Sequence, residues 1–303
     1  METVAIIFSF IYQYADNVGF LLLAAVGLII IFGMMGVINM AHGELMMIGA
    51  YITAFTYHAG VPEPIAIIFA GIGSGLAGIV LERLVIRFFY RQLLSSLVVT
   101  WGISLVLTEG FLLIFGPSIL NVPTPFGSFG VGELTFGIYR LVLFGVALSL
   151  IGLIWALFTY TRFGTRARAT MENPEMAEAF GINTSRMYAL TFGLGSALGG
   201  IAGGMFALTA TISPFFGVNY TLFAFITVVV GGGANVITGV TTSAAALAGA
   251  QTIVNNAWSV YVGYVSMMLA AFLILLILPR GISEYLERRK IRAAERNESQ
   301  RSE

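Results

Sequence analysis

VGFLLLAAVGLIIIFGMMGVI, residues 18–38, runs for 21 residues without a charged side chain. At about 1.5 Å per residue, a helix of that length crosses a hydrocarbon core about 30 Å thick. It is too long for the apolar core of a signal peptide, and equally apolar blocks recur to the C-terminal end, so it reads as a span that stays. Composition agrees. Of 303 residues, 58% are hydrophobic and 10% charged, whereas a soluble domain carries about 25% charged residues. The chain is therefore read as an all-α, polytopic membrane protein. It has no Cys, which excludes disulfides, thiol catalysis and Cys-based metal sites.

Charge-poor blocks fall at about residues 18–38, 44–59, 63–82, 95–116, 138–160, 187–212, 219–236, 238–256 and 258–279. The short ones at 44–59 and 219–236 are candidates for broken or re-entrant helices, so eight to ten transmembrane helices are expected. Of the 15 Lys and Arg residues, 14 lie in three regions: Arg83, Arg87 and Arg91; Arg162, Arg166, Arg168 and Arg186; and the tail after Pro279. Cytoplasmic loops collect basic residues. The reading is thus an outside N-terminus, a cytoplasmic C-terminus, and an outward loop at 117–137 that has no Lys or Arg. Residues 1–282 are expected to form a single membrane domain with a cytoplasmic loop at about 161–186, and 283–303 a charged cytoplasmic tail. Glu284, Glu287 and Arg288 give that tail helical spacing. Arg140, the one basic residue elsewhere, is expected to snorkel to the headgroups.

Two apolar blocks are interrupted by glycine clusters with an Asn among them, GMMGVINMAHG (33–43) and GGGANVITG (231–239). A broken helix frees backbone groups that are tolerated at membrane depth only inside protein or along a wet cavity, and transporters place such breaks at the solute path. Asn39, His42, Glu44 and Asn235 are therefore candidate path residues. Asn39, His42 and Glu44 are positioned to satisfy one another, while the plainer reading is that Asn39 caps the next helix and Glu44 sits favourably in its first turn. Glu109 is a further candidate, since Trp101, Ser104 and Thr108 share one helical face that it borders. Met34, Met35, Met40, Met46 and Met47 around the first break read as deformable packing. His42 and Glu44 are too few for a metal site. No catalytic constellation is present, so no enzyme activity is expected.

Asn173-Pro174-Glu175-Met176-Ala177-Glu178-Ala179-Phe180-Gly181 reads as one small, fully capped helix. Asn173 suits the N-cap, Pro174 the first helical position, Glu175 the first turn and Gly181 a left-handed stop. So short a helix does not persist alone in water, so it should be pinned by a surface. Met176 and Phe180, at i and i+4, give it an apolar face to dock. The competing placement is flat on the membrane. No GxxxxGK[ST] phosphate loop occurs in the chain; any ATP must be bound by another protein.

These same stretches carry a family resemblance. GVINMAHGELMMIGAY (36–51), TWGISL (100–105), RARATMENPEMAEAFGI (166–182), LTFGLGSALGGIAGG (190–204), VVVGGGANVITG (228–239) and LPRGI (278–282) resemble the permeases of ATP-binding-cassette importers for branched-chain amino acids and for urea or short amides. The 39–44 stretch and the Trp101 segment look more like the urea-type first permease. The resemblance implies a path formed with a second related permease subunit, and an external solute-binding protein. It also implies two cytoplasmic ATPase subunits that bind ATP and Mg, and no cofactor in this chain. It makes 174–181 the coupling helix that seats in an ATPase groove. A plasma-membrane location with no nucleic-acid partner follows. Glu109 departs from the neutral polar residue expected there. The competing class is a stand-alone ion-coupled carrier or channel, which normally needs mid-membrane acids and has no use for a docking helix.

Overall fold

A single helix, α1 (Glu2–Met35), runs for 34 residues before Gly36, at φ 59°, turns the chain out of it. The computed structural model describes residues 2–90, 92–233 and 235–290; Arg91, Arg292, Arg296 and Arg301 of the basic regions lie outside them. Ten more helices follow: α2 (His42–His58), α3 (Glu63–Leu84), α4 (Leu93–Phe115), α5 (Ile138–Tyr160), α6 (Arg162–Glu172), α7 (Pro174–Ala179), α8 (Thr184–Phe206), α9 (Phe216–Gly231), α10 (Val236–Ala257) and α11 (Val260–Ile277). Residues 282–290 are again helical, as the spacing of Glu284 and Arg288 requires, and Glu284 pairs with Arg280 and Arg288.

Seven helices, α1, α3, α4, α5, α8, α10 and α11, are long and apolar enough to cross a membrane. Of the shorter helices α9 is also apolar, while α2, with His42, Glu44 and His58 among its 17 residues, occupies the charge-poor block at 44–59. The protein is a multi-pass, helical membrane protein. One departure from an all-α chain is a two-stranded antiparallel hairpin in the 117–137 loop, β1 (Ser128–Val131) with β2 (Leu134–Gly137). A second is the length of α1, which starts well before residue 18. Polar residues there are held by tertiary partners: Tyr12 donates to the Gly137 carbonyl (2.8 Å), Asn17 to Thr252 Oγ1 (2.9 Å), and Asp16 pairs with Arg140. Arg140 is thus paired with Asp16 while its side chain stays 59% exposed.

The bundle has two distinct ends. At one, the hairpin, the α2–α3 turn and the start of α5 come together, with His58 beside the Leu120 carbonyl. At the other, the end of α1 meets α6 across Met34, Arg168 and Met171, while Gly232 lies against Arg280 and Gly281. Tyr90, just before α4, packs on Tyr188 at the start of α8, with ring centroids 4.3 Å apart. This is the basic end.

α8 is the axle. Its sequence is rich in Gly and Ala, and small residues let membrane helices approach backbone to backbone. A Cβ on Gly203 would stand 1.9 Å from the Met46 carbonyl oxygen, and one on Gly49 would stand 2.2 Å from that of Gly200. Gly203→Ala is therefore expected to overpack the α2–α8 contact and destabilise by about 1–3 kcal/mol. Gly102→Ala, where an added Cβ meets nothing within 4 Å, is the control. Thermal unfolding of the purified protein in detergent is the measurement, and equal midpoints for the two variants would refute the close approach.

Candidate functional site

Between α1 and α2 the chain unwinds over residues 36–41. The freed backbone is met locally and from α4. Asn39 Oδ1 accepts the N–H of Ala41 (3.1 Å); Asn39 thus stands two residues before the Ala41 N-cap position and does not cap α2, which has no side-chain cap bond. Thr100 Oγ1 accepts the N–H of Met40 (3.0 Å) and also lies 3.2 Å from the Ile38 carbonyl and 2.7 Å from that of Ser96. Val37, Asn39 and Ala41 of the break are buried, while Gly36 is exposed.

α2 begins level with the middle of α1. His42 Nε2 sits 3.0 Å from the Ala24 carbonyl, which can only accept, so Nε2 carries the proton. Ala24 precedes the end of α1 by three turns, about 16 Å along the axis. The N-terminus of α9 meets that of α2 at this depth: a Cβ on Gly43 would lie 2.1 Å from the Gly217 carbonyl oxygen and 2.1 Å from Thr221 Oγ1. Two helix N-termini therefore converge, and each presents the positive end of its dipole. Glu44, in the first turn of α2, supplies a carboxylate against them.

Glu44 is buried, and its Oε1 accepts from Ser104 Oγ (2.7 Å) and, more weakly, Thr108 Oγ1 (3.4 Å). Asn39 and His42 are likewise buried. The three do not satisfy one another, contrary to the sequence expectation. Each bonds a different element, because the unwound segment points Asn39 along the chain, His42 toward α1 and Glu44 toward α4. Asn39 Nδ2, His42 Nδ1 and Glu44 Oε2 have no hydrogen-bond partner among the described residues. Buried polar atoms are nearly always paired, and these three fall between residues 39 and 44 of the chain. Met35, Met46 and Met47 are buried in the core.

Two sequence candidates stand elsewhere. Asn235 is exposed and caps α10, its Oδ1 accepting from Thr238 N (3.2 Å). It borders a cavity of about 280 Å³ at the basic end, with Gly33, Trp155 and Arg168, rather than the Glu44 junction. Glu109 is exposed, while Thr100, Ser104 and Thr108 are buried. The inward face of α4 is thus the i, i+4, i+8 series from Thr100, and Trp101, which the sequence placed on that face, is 56% exposed. The residues that sequence reasoning missed as partners of Glu44 are Ser104 and Thr108. Their spacing marked a polar stripe but named no counterpart.

At the basic end, α7 has the caps that its sequence specifies. Asn173 Oδ1 accepts from Met176 N (3.1 Å). Gly181, at φ 79°, closes the helix with Gly181 N donating to Glu178 O (2.8 Å) and Ile182 N to Ala177 O (3.0 Å). That paired closure is the Schellman arrangement. Ala177 is buried against the protein body, whereas Met176 is 59% and Phe180 80% exposed. Among the described residues nothing covers the apolar face of α7.

The family model for the permease component of branched-chain amino acid transport systems matches residues 10–278. The high-affinity branched-chain amino acid transport system permease protein LivH of Salmonella typhimurium is 29% identical over 277 residues, covering 86% of this chain and 90% of that protein. LivH of Escherichia coli K12 is 28% identical over the same shares. BraD of Pseudomonas aeruginosa, described as a permease protein of the same kind of system, is 31% identical over 239 residues, 69% of this chain and 74% of BraD. No solved structure matches the chain.

Proposed function

The chain belongs to the branched-chain amino acid transport system permease family, and on that premise we propose that it forms the membrane path of an ATP-driven importer for aliphatic amino acids delivered by an external binding protein. The observation that carries this reading is α7: six residues, capped at both ends, with Met176 and Phe180 exposed at the basic end. A helix of under two turns with an uncovered apolar face is built to seat in another protein, and an ATPase subunit is the partner that an importer permease requires. ATP and Mg then belong to that subunit. A second related permease completes the path beside this one. A stand-alone carrier would leave α7 without a role. The naming of LivH and BraD supports branched-chain amino acids over urea.

Co-expression with its neighbouring ATPase subunits and binding protein, followed by uptake of labelled leucine and labelled urea into proteoliposomes, tests both parts. ATP-dependent leucine uptake is the expected result. Accumulation of urea alone would overturn the substrate, and uptake without ATPase subunits would overturn the class.

The basic end is the cytoplasmic one in this reading, by the distribution of Arg and Lys. Because the chain has no Cys, single Cys substitutions report topology cleanly. Ser118→Cys, exposed near the hairpin, should react with an impermeant maleimide in intact cells. Glu175→Cys, exposed on α7, should react only after permeabilisation. The reverse pattern would invert the protein.

A further inference from the structure

Asp16 of α1 and Arg140 of α5 stand 124 residues apart in sequence and form an ion pair, with side chains 18% and 59% exposed. Tyr12, one turn before Asp16, is bonded to Gly137 at the base of the hairpin, so the pair lies at the hairpin end. It walls a cavity of about 310 Å³ whose other side carries Phe20, Phe206, Tyr220 and Tyr264. Phe206 and Tyr220 stack with centroids 4.7 Å apart, and Phe20 closes on Phe206 at 5.3 Å. A small, half-open space thus presents one carboxylate, one guanidinium, the polar side chains of Asn17, Thr209 and Gln251, and an aromatic wall.

We infer that this cavity is an entry site for the substrate, in which the Asp16–Arg140 pair binds the zwitterionic backbone of an aliphatic amino acid. The inference rests on the importer reading above and adds the place and chemistry of recognition. Arg140 contacts Asp16 through Nη1 and keeps the other donors of its planar fork for a carboxylate. Asp16 engages Arg140 through Oδ2, which leaves Oδ1 to take an ammonium group. Side by side, the two charges sum to zero. A net cation or anion gains one contact and meets one repulsion, whereas a zwitterion laid antiparallel satisfies both. The aliphatic side chain then rests on Phe20, Phe206 and Tyr220. Urea has an acceptor and donors for the pair but no aliphatic chain, so it would leave the aromatic wall unused. Ligand pockets begin at about 300 Å³, so this cavity suits one small solute and excludes a peptide. In the orientation argued above the cavity faces outside, where a binding protein hands over its load.

The test uses the whole transporter in proteoliposomes, with L-leucine-loaded binding protein at saturation. Asp16→Asn with Arg140→Gln keeps the shape and the hydrogen bond of the pair but removes both charges. The ratio of leucine moved to ATP hydrolysed is expected to fall about tenfold or more, as charge-assisted contacts are lost. Assembly with the ATPase subunits and the binding protein, read by pull-down, should stay near wild type. A merely structural pair would change assembly or both rates together. Should the double variant fail to assemble, Arg140→Lys keeps the charges and loses the forked donors, and a fall of about threefold in the same ratio is expected. An unchanged ratio in a variant that assembles would overturn the site while leaving the importer reading intact. No leucine transport by the wild-type complex would overturn the importer reading itself, and this site with it.

Discussion

Replacing Met176 and Phe180 together by Asp is expected to leave the permease folded in the membrane while abolishing its hold on the ATPase subunits. Both side chains point away from the chain that carries them, so two carboxylates there are solvated in the isolated subunit. The cap bonds from Asn173 and the Gly181 closure do not involve either side chain. In a docked interface the same carboxylates are desolvated without partners, and one buried, unpaired charge costs about 3–5 kcal/mol. Since about 1.4 kcal/mol is tenfold in an equilibrium, ATPase affinity should fall at least a hundredfold and uptake with it. Met176→Leu with Phe180→Leu keeps the face apolar and should keep uptake. Pull-down of ATPase subunits from detergent, with uptake in parallel, reads both variants. A double-Asp protein that retains its partners and transports at the normal rate would make α7 a helix of the membrane surface instead.

The second large effect is expected at Glu44. Ser104→Ala with Thr108→Val removes the two hydroxyls that bond its carboxylate and changes little in shape. Hydrogen bonds to a charged group contribute about 1.5–3 kcal/mol each, and Glu44 is buried. The loss should therefore be on the order of 3 kcal/mol of stability, visible as a lower unfolding midpoint, together with loss of uptake. Adding Glu44→Met removes the stranded carboxylate and should restore the midpoint but not uptake, on the proposal that this carboxylate meets the solute. If the triple variant also recovers transport, the carboxylate serves only to tie α2 to α4.

What the sequence by itself determined are the features that are local. The seven long apolar helices follow from runs of uncharged residues, since the cost of placing charge in hydrocarbon is felt residue by residue. The two breaks follow from glycines such as Gly36 and Gly232, both at positive φ. The capped helix at 174–179 follows from Asn173, Pro174 and Gly181, each within one turn of the group it satisfies. Tertiary structure alone decided which side chains meet. Residues 101, 104 and 108 and residues 100, 104 and 108 differ by one position, which is about 100° of helix rotation, and only the packing of α4 on the break chooses between them. Glu44 reaches Ser104 across 60 residues, and Asp16 reaches Arg140 across 124. Gly43 and Gly217 bring two helix ends together from opposite halves of the chain. Such pairings depend on how helices cross, and crossing is set by the shapes of whole faces pressed around α8. No periodicity in a single helix carries that information, which is why Arg140 read as a lone surface charge until its partner was in view.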